Sequence, residues 1–336
     1  MSDLSQPTER DSGPDLAVTA QHADDIAVKS YTYLRLALVG LLIALGAAVL
    51  YQSAHQGSFL ASVSAYYYTA AQAIFVGALI GMGASMIALK GRNAAEEIFL
   101  NLGGIFAAVV AIVPTSRGAD YRTAVRACHE QATTLLTGRA SNNLDCPTVL
   151  ALEAATRSNI ENNAFALLVV GILSLVAAFL FARRAKTLTD RWFQIGFTAA
   201  LLVWAAAAAS FAFDLDLLIA SGHYVAAILL LVCVLAVAVA VANATRRRAD
   251  EESRERPGPP QESDAATAGR AMFREPRQFD RYAWLAWVLL VGTGVGVVLW
   301  MAGVISLFWL EIFAALLFAA FWAVQTIEQL PPRGQQ

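Results

Sequence analysis

Residues 57–91, GSFLASVSAYYYTAAQAIFVGALIGMGASMIALKG, decide how the rest of the chain is read. A polar, aromatic lead-in, Ser62-Val63-Ser64-Ala65-Tyr66-Tyr67-Tyr68-Thr69, runs into a long apolar stretch punctuated by glycines. That stretch is long enough to cross a hydrocarbon core of about 30 Å. It predicts a membrane helix from Tyr67 to Leu89 with a tyrosine-lined mouth. Most other apolar runs are plain, so specificity is expected at this mouth.

Composition agrees. The chain has 336 residues, 57% of them hydrophobic and only 15% charged, whereas soluble domains are about half apolar and a quarter charged. The fold class this implies is an all-α polytopic integral membrane bundle. The net charge of −2 carries little, because placement of charge matters more than its sum. The first thirty residues are polar, and the first apolar run is too long for the core of a signal peptide. That run is expected to stay as a signal anchor.

Eight spans are predicted: Tyr33 to Tyr51, Tyr67 to Leu89, Ile98 to Val113, Phe165 to Phe181, Phe193 to Phe213, His223 to Val241, Tyr282 to Met301 and Ile305 to Val324. They divide the chain into a disordered cytoplasmic tail (1–30), helices one to three (31–115), an extracytoplasmic helical hairpin (116–163), helices four to six (164–244), a disordered cytoplasmic linker (245–280), helices seven and eight (281–327) and a short tail (328–336). Low hydrophobicity argues for disorder in the tail and linker. Of the 24 lysines and arginines, only Arg117, Arg122, Arg126, Arg139 and Arg157 fall in the 116–163 segment. The positive-inside bias therefore places that segment outside and both termini in the cytoplasm, as expected for a bacterial plasma-membrane protein. Arg246-Arg247-Arg248 reads as an ordinary stop-transfer cluster.

Within the outer segment, Ala119 to Leu136 reads as a helix with Tyr121, Val125, Cys128 and Leu135 on one face. A second helix is expected from Pro147, a good first-turn residue, carrying Val149, Leu150 and Leu152. Gly138 and Ser141-Asn142-Asn143 are turn formers between them. A Cys128–Cys146 disulfide would staple the pair and contribute about 3 kcal/mol; the alternative is two free thiols. Cys233 reads as a buried core thiol.

The Ser62–Thr69 lead-in with Val76-Gly77, Asn101-Leu102-Gly103-Gly104 with Ala111-Ile112-Val113-Pro114-Thr115, and Gly222-His223-Tyr224 with Glu311 and Trp322 together resemble a broad group of uncharacterised bacterial multi-pass membrane proteins. That group has an S-x-S-A-Y-Y-Y-T lead-in to the second membrane helix. The chain departs from it after Thr69, where Ala70-Ala71-Gln72-Ala73 replaces a charged or amide pair. The resemblance implies topology and no activity.

The polar residues expected at the outer face form a candidate pocket: Ser62, Ser64, Tyr66, Tyr67, Asp214, Asp216, His223 and Glu311. Glu311 is expected about seven residues, roughly 10 Å, into the eighth helix. A carboxylate at that depth costs a few kcal/mol, so it should face the bundle interior, be uncharged, or have a partner such as His223 or a tyrosine hydroxyl. His223 beside Asp214 and Asp216 has the chemistry of an oriented general base, and Ser64 that of a nucleophile. The bland readings are helix caps for the aspartates and interfacial anchoring for Tyr66, Tyr67 and Tyr68. Glu96 and Glu97 read as carboxylates favouring a helix N-terminus.

No G-x-S-x-G, H-E-x-x-H or clustered histidines occur, so neither a metal nor a cofactor is expected. Gly77 with Gly81, and Gly292 with Gly296, have the spacing of close helix contacts. The last pair is not a phosphate loop, since no strand precedes it. With no basic folded face, nucleic acid is excluded as a partner. The partners expected are the lipid bilayer and a lipid or small-molecule ligand from the outer leaflet, bound or sensed without catalysis. The rivals are a small-solute transporter, a membrane-embedded lipid hydrolase and a purely structural role.

Overall fold

The computed structural model describes residues 13–115, 119–135, 146–255 and 277–329. Among them are nine α-helices and no strand: α1 (Gly13–Gln56), α2 (Gln72–Ala88), α3 (Ala94–Ile112), α4 (Ala119–Leu135), α5 (Cys146–Ala185), α6 (Arg191–Phe213), α7 (Leu215–Glu255), α8 (Arg277–Met301) and α9 (Leu307–Gln329). Seven contain stretches long and apolar enough to cross a membrane: Val28–Gln56, Ala94–Ile112, Cys146–Ala185, Arg191–Phe213, Leu215–Arg247, Ala283–Met301 and Leu307–Ile327. The chain is a multi-pass all-α membrane bundle. α2 is apolar but has only 17 residues, a length of about 25 Å.

Six helices close a ring. α1 packs on α2, α2 on α3, α3 on α7, α7 on α8, α8 on α9, and α9 back on α1. Its interior is filled with large side chains, among them Leu38, Phe75, Met86, Leu100, Val237, Phe308, Phe321 and Trp322. A narrow apolar void beside Met86, Leu100, Phe318 and Trp322 has no room for a water molecule. α5 and α6 pair with each other outside the ring.

Close packing within the ring depends on glycines, though not those with the most regular spacing. A Cβ on Gly83 would lie 2.6 Å from the Gly104 carbonyl oxygen, and one on Gly104 would lie 2.5 Å from that of Gly83. α2 and α3 therefore touch backbone to backbone. Gly77 has open space where a Cβ would stand, and Gly81 faces only the side chain of Leu41. Of the expected pair, Gly81 accepts Leu41 of α1 and Gly77 accepts nothing, while the backbone contact of α2 falls on Gly83 against Gly104. Gly292 and Gly296 do accept a neighbour: Phe313 and Leu310 of α9 press against them.

Several helices run further than apolarity alone predicted. α1 is helical from Gly13, through residues 13–30 of the expected disordered tail. α7 continues through residues 245–255 of the expected disordered linker. Both extensions are rich in good helix formers, and lengthening an existing helix avoids the cost of nucleation. Residues 1–12, 116–118, 136–145 with the predicted turn formers Gly138 and Ser141–Asn143, 256–276 and 330–336 lie outside the described residues.

The two ends of the bundle differ. On one, the hairpin side, α4 packs against the start of α5. Cys128 and Cys146 are joined in a disulfide, and His129 Nε2 lies 3.0 Å from Glu153 Oε2. The second helix of this hairpin does not stop before the membrane: α5 is one helix of 40 residues, from the disulfide to Ala185. On the other, the arginine side, lie Lys90, Arg92, Arg183, Arg184 and Lys186. There Asn93 caps α3 through Glu96 N–H (2.9 Å), and Glu96 Oε2 accepts from Arg92 N–H (2.8 Å). The reading of Glu96 as a helix-start residue holds. Cys233 is a buried free thiol, as expected.

Candidate functional site

The mouth of α2 is not helical as predicted. The helix expected from Tyr67 begins at Gln72, and residues 64–68 form a single 3₁₀ turn preceded by irregular chain from Gly57. The physical cause is local competition. Hydroxyls close to the backbone offer it partners other than the α-helical ladder, and this stretch has Ser62, Ser64 and Thr69 within eight positions.

A helix of about 25 Å falls short of a hydrocarbon core of about 30 Å. The chain before it, irregular from Gly57 and then the 3₁₀ turn at Ser64–Tyr68, is what is available to make up the difference. Backbone N–H groups without partners are costly at such depth, and irregular chain is tolerated only when buried in protein or lining a cavity. Here side chains supply the partners. Val63 N–H donates to Oε2 of Glu311 (2.5 Å). Leu60 N–H donates to the Tyr66 hydroxyl (3.2 Å), Ala65 N–H to Ser62 Oγ (3.1 Å), and Ala71 N–H to Thr69 Oγ1 (3.2 Å). The motif S-x-S-A-Y-Y-Y-T is thus largely a means of keeping an unwound backbone hydrogen-bonded.

Four helices hold the segment. From α1, Ser53 is hydrogen-bonded to the Tyr66 hydroxyl and donates onward to the Val49 carbonyl (2.8 Å). From α9, Phe308 N–H donates to the Ala61 carbonyl (2.9 Å), beside the Glu311 contact. The end of α3 is held through Thr115: Ser64 Oγ lies 2.9 Å from Thr115 Oγ1 and 3.1 Å from Ser62 Oγ, and the Tyr68 hydroxyl donates to the Thr115 carbonyl (2.8 Å). α7 acts indirectly. His223 Nδ1 lies 2.7 Å from the Val113 carbonyl oxygen, so Nδ1 carries the proton. That carbonyl is one of those a helix end leaves without an internal partner.

The predicted residues therefore divide. Ser62, Ser64, Tyr66, Tyr67, His223 and Glu311 all lie at the hairpin-side end, the first four with His223 buried and Glu311 half-buried. They meet as two contacts on one segment: Glu311 on Val63, and Ser62–Ser64–Thr115 beside the His223-capped end of α3. Tyr67 packs edge-on against Tyr68 and Phe75. Asp214 and Asp216 are elsewhere. Asp214 is exposed and caps α7, accepting from Leu217 N–H (2.9 Å). Asp216 is paired with Arg157 at the surface. Neither orients His223. The reason is the true start of α7 at Leu215 rather than His223, which puts the histidine about 12 Å further along than its expected place at the helix start. Likewise α9 starts at Leu307, so Glu311 sits about 6 Å in rather than 10 Å.

Ser64 and His223 do not form a nucleophile–base pair: the serine bonds to Ser62 and Thr115, and the histidine to a backbone carbonyl. No cluster of potential metal ligands occurs among the described residues. Sequence reasoning missed Ser53 and Thr115. The signal for Ser53 was a hydroxyl near the end of a span, and Thr115 stood in the Pro114-Thr115 motif without being counted as a site residue. It also missed Gln325, fully buried in α9.

No protein-family model, curated protein or solved structure matches the chain. Fold and site together define a multi-pass integral membrane protein with a non-helical segment clamped at one face of a helical ring.

Proposed function

We propose that this is a bacterial plasma-membrane protein that binds or senses a lipid or small molecule entering from the outer leaflet, without catalysing its conversion. The hairpin side faces outward and both termini are cytoplasmic. The orientation rests on the lysine and arginine bias, and the kinship with the S-x-S-A-Y-Y-Y-T group belongs to the same proposal.

One observation carries the binding reading: a half-buried carboxylate, Glu311, bonded to the backbone of an unwound segment at the membrane face. An ionisable side chain at such a place is a functional site by default. Hydrogen bonds to an unwound backbone are also exchangeable for those of a ligand. What favours binding over hydrolysis is that Ser64 and His223 serve separate partners. What favours it over transport is the ring interior, packed with Phe308, Phe321, Trp322 and Met86.

The test is reconstitution of the full chain in nanodiscs, followed by mass spectrometry of retained lipids and of added amphiphiles. Binding weakened by Glu311→Leu and unaffected by Asp216→Asn is the expected result. Turnover of a bound lipid, or flux of a solute across proteoliposomes, would replace this reading with one of its rivals.

A further inference from the structure

The two ends of α9 are bonded differently. At its start, Phe308 N–H donates to the Ala61 carbonyl (2.9 Å) and Glu311 accepts from Val63 N–H (2.5 Å). Near its finish, Gln325 is fully buried, and neither its amide oxygen nor its amide nitrogen has a hydrogen-bond partner among the described residues. The indole Nε1 of Trp322, buried as well, has none either. Nearly all buried polar groups in native proteins are paired. Each one left unpaired raises the free energy of the arrangement that holds it.

Glu311, Phe318, Trp322 and Gln325 recur at spacings of seven, four and three, so they form one stripe along α9. The stripe faces the ring interior, because Phe318 and Trp322 border the narrow void there, as does Leu100 of α3. From Leu100, one turn towards the arginine side leads to Glu96; from Trp322, one turn the same way leads to Gln325. Glu96 and Gln325 therefore stand at about the same level. Glu96 is buried, so is Arg35 of α1, and the charge of Arg35 reaches the Glu96 carboxylate. Hydrogen-bonding groups are thus present at the level of Gln325 and do not meet it. A helix bonded at one end and left with unmet donors and acceptors at the other is locally in conflict with its own position.

We infer that α9 is a two-position switch. Its bonds to residues 61–63 hold it where Gln325 is unpaired, and their release lets it move so that Gln325 pairs with the polar layer of Arg35 and Glu96. Packed helices take up discrete arrangements rather than deforming continuously, so a small shift is enough to exchange one set of contacts for the other. Loss of the Glu311–Val63 bond on the hairpin side is thereby reported about 21 Å along the helix, on the arginine side. The switch is independent of what the unwound segment binds.

The full chain in nanodiscs is digested with a nonspecific protease, and cleavage between Gly57 and Ala71 is timed by mass spectrometry. Gln325→Leu and the closer-fitting Gln325→Met remove the unmet amide. Each should slow that cleavage about fivefold or more, the size of an ordinary coupling between sites, while hydrogen exchange in α3 stays as it was. A mere gain in overall stability would slow both. Reciprocally, Glu311→Leu should speed the cleavage and also raise hydrogen exchange at residues 322–329, although sites so far apart otherwise act independently. The switch is overturned if the Gln325 variants leave the cleavage unchanged or slow exchange in α3 to the same extent. It is equally overturned if Glu311→Leu leaves exchange at 322–329 as it was; Gln325 is then a local packing defect. Faster cleavage in both Gln325 variants overturns it too, since the amide would then be paired where it stands.

Discussion

The α2–α3 pair and the α5–α6 pair are both adjacent membrane helices, yet they are built in opposite ways. Half of the α3 membrane window is buried in protein, and its backbone touches that of α2 through Gly83 and Gly104. None of the α6 window is buried, and only a ninth of that of α5. Lipid covers apolar side chains as well as protein does, so burial is not needed to hold a single span in a bilayer. Tight packing therefore appears where position has to be specified. In this molecule that is the ring supporting the unwound segment.

The contrast is broken most severely at the glycine crossing. Gly104→Val should cost about 3 kcal/mol, since the added atoms meet a backbone carbonyl that cannot move aside. Ala206→Val, on the exposed surface of α6, should stay within about 0.5 kcal/mol. Thermal unfolding of the two variants in the same detergent measures the difference; equal midpoints would show that the ring is no tighter than the outer pair.

Next in size is the hairpin. Cys128→Ser should cost about 3 kcal/mol, confined to α4 and the first turns of α5. Hydrogen exchange should rise there and remain unchanged in α2 and α3.

At the site itself, Glu311→Leu leaves Val63 N–H without its partner and should cost about 1–3 kcal/mol. Protease cleavage between Gly57 and Ala71 should become faster. Glu311→Gln should restore most of the protection, because the amide oxygen still accepts. The smallest effect is expected for Asp216→Asn, which removes an exposed ion pair with Arg157 and should cost less than about 1 kcal/mol. A larger shift would mean that the outer pair is coupled to the ring more strongly than its packing indicates.

Hydropathy made the spans legible because each is set by a local run of apolar residues. The Cys128–Cys146 bridge was legible because only two cysteines fell on one side. The mouth of α2 was not. The hydroxyls of Ser62, Ser64 and Thr69 are a local sign of competition with the α-helical ladder, but the partners that complete the 3₁₀ turn's hold, Glu311 and Thr115, lie far away in sequence and have no local pattern. Glycine spacing marks faces that can pack closely but not the faces that do, so Gly77 misled and Gly104 was passed over. The cap reading of the aspartates holds for Asp214, which accepts from Leu217 N–H at the start of α7. Had that cap also been used to set the helix start, it would have placed His223 two turns further in and separated it from the aspartates.

The unbroken course of α5 has a mechanical consequence. A helix of 40 residues is a rod of about 60 Å, with a disulfide at one tip and arginines at the other. Its upper part meets α7 at the exposed Arg157–Asp216 pair, and α7 is a second rod of 41 residues. A tilt of about five degrees in the hairpin would swing the far tips by about 5 Å over that length. A push on the hairpin would therefore reach the opposite face as lateral displacement of the α5 tip, along a helix with no break in between.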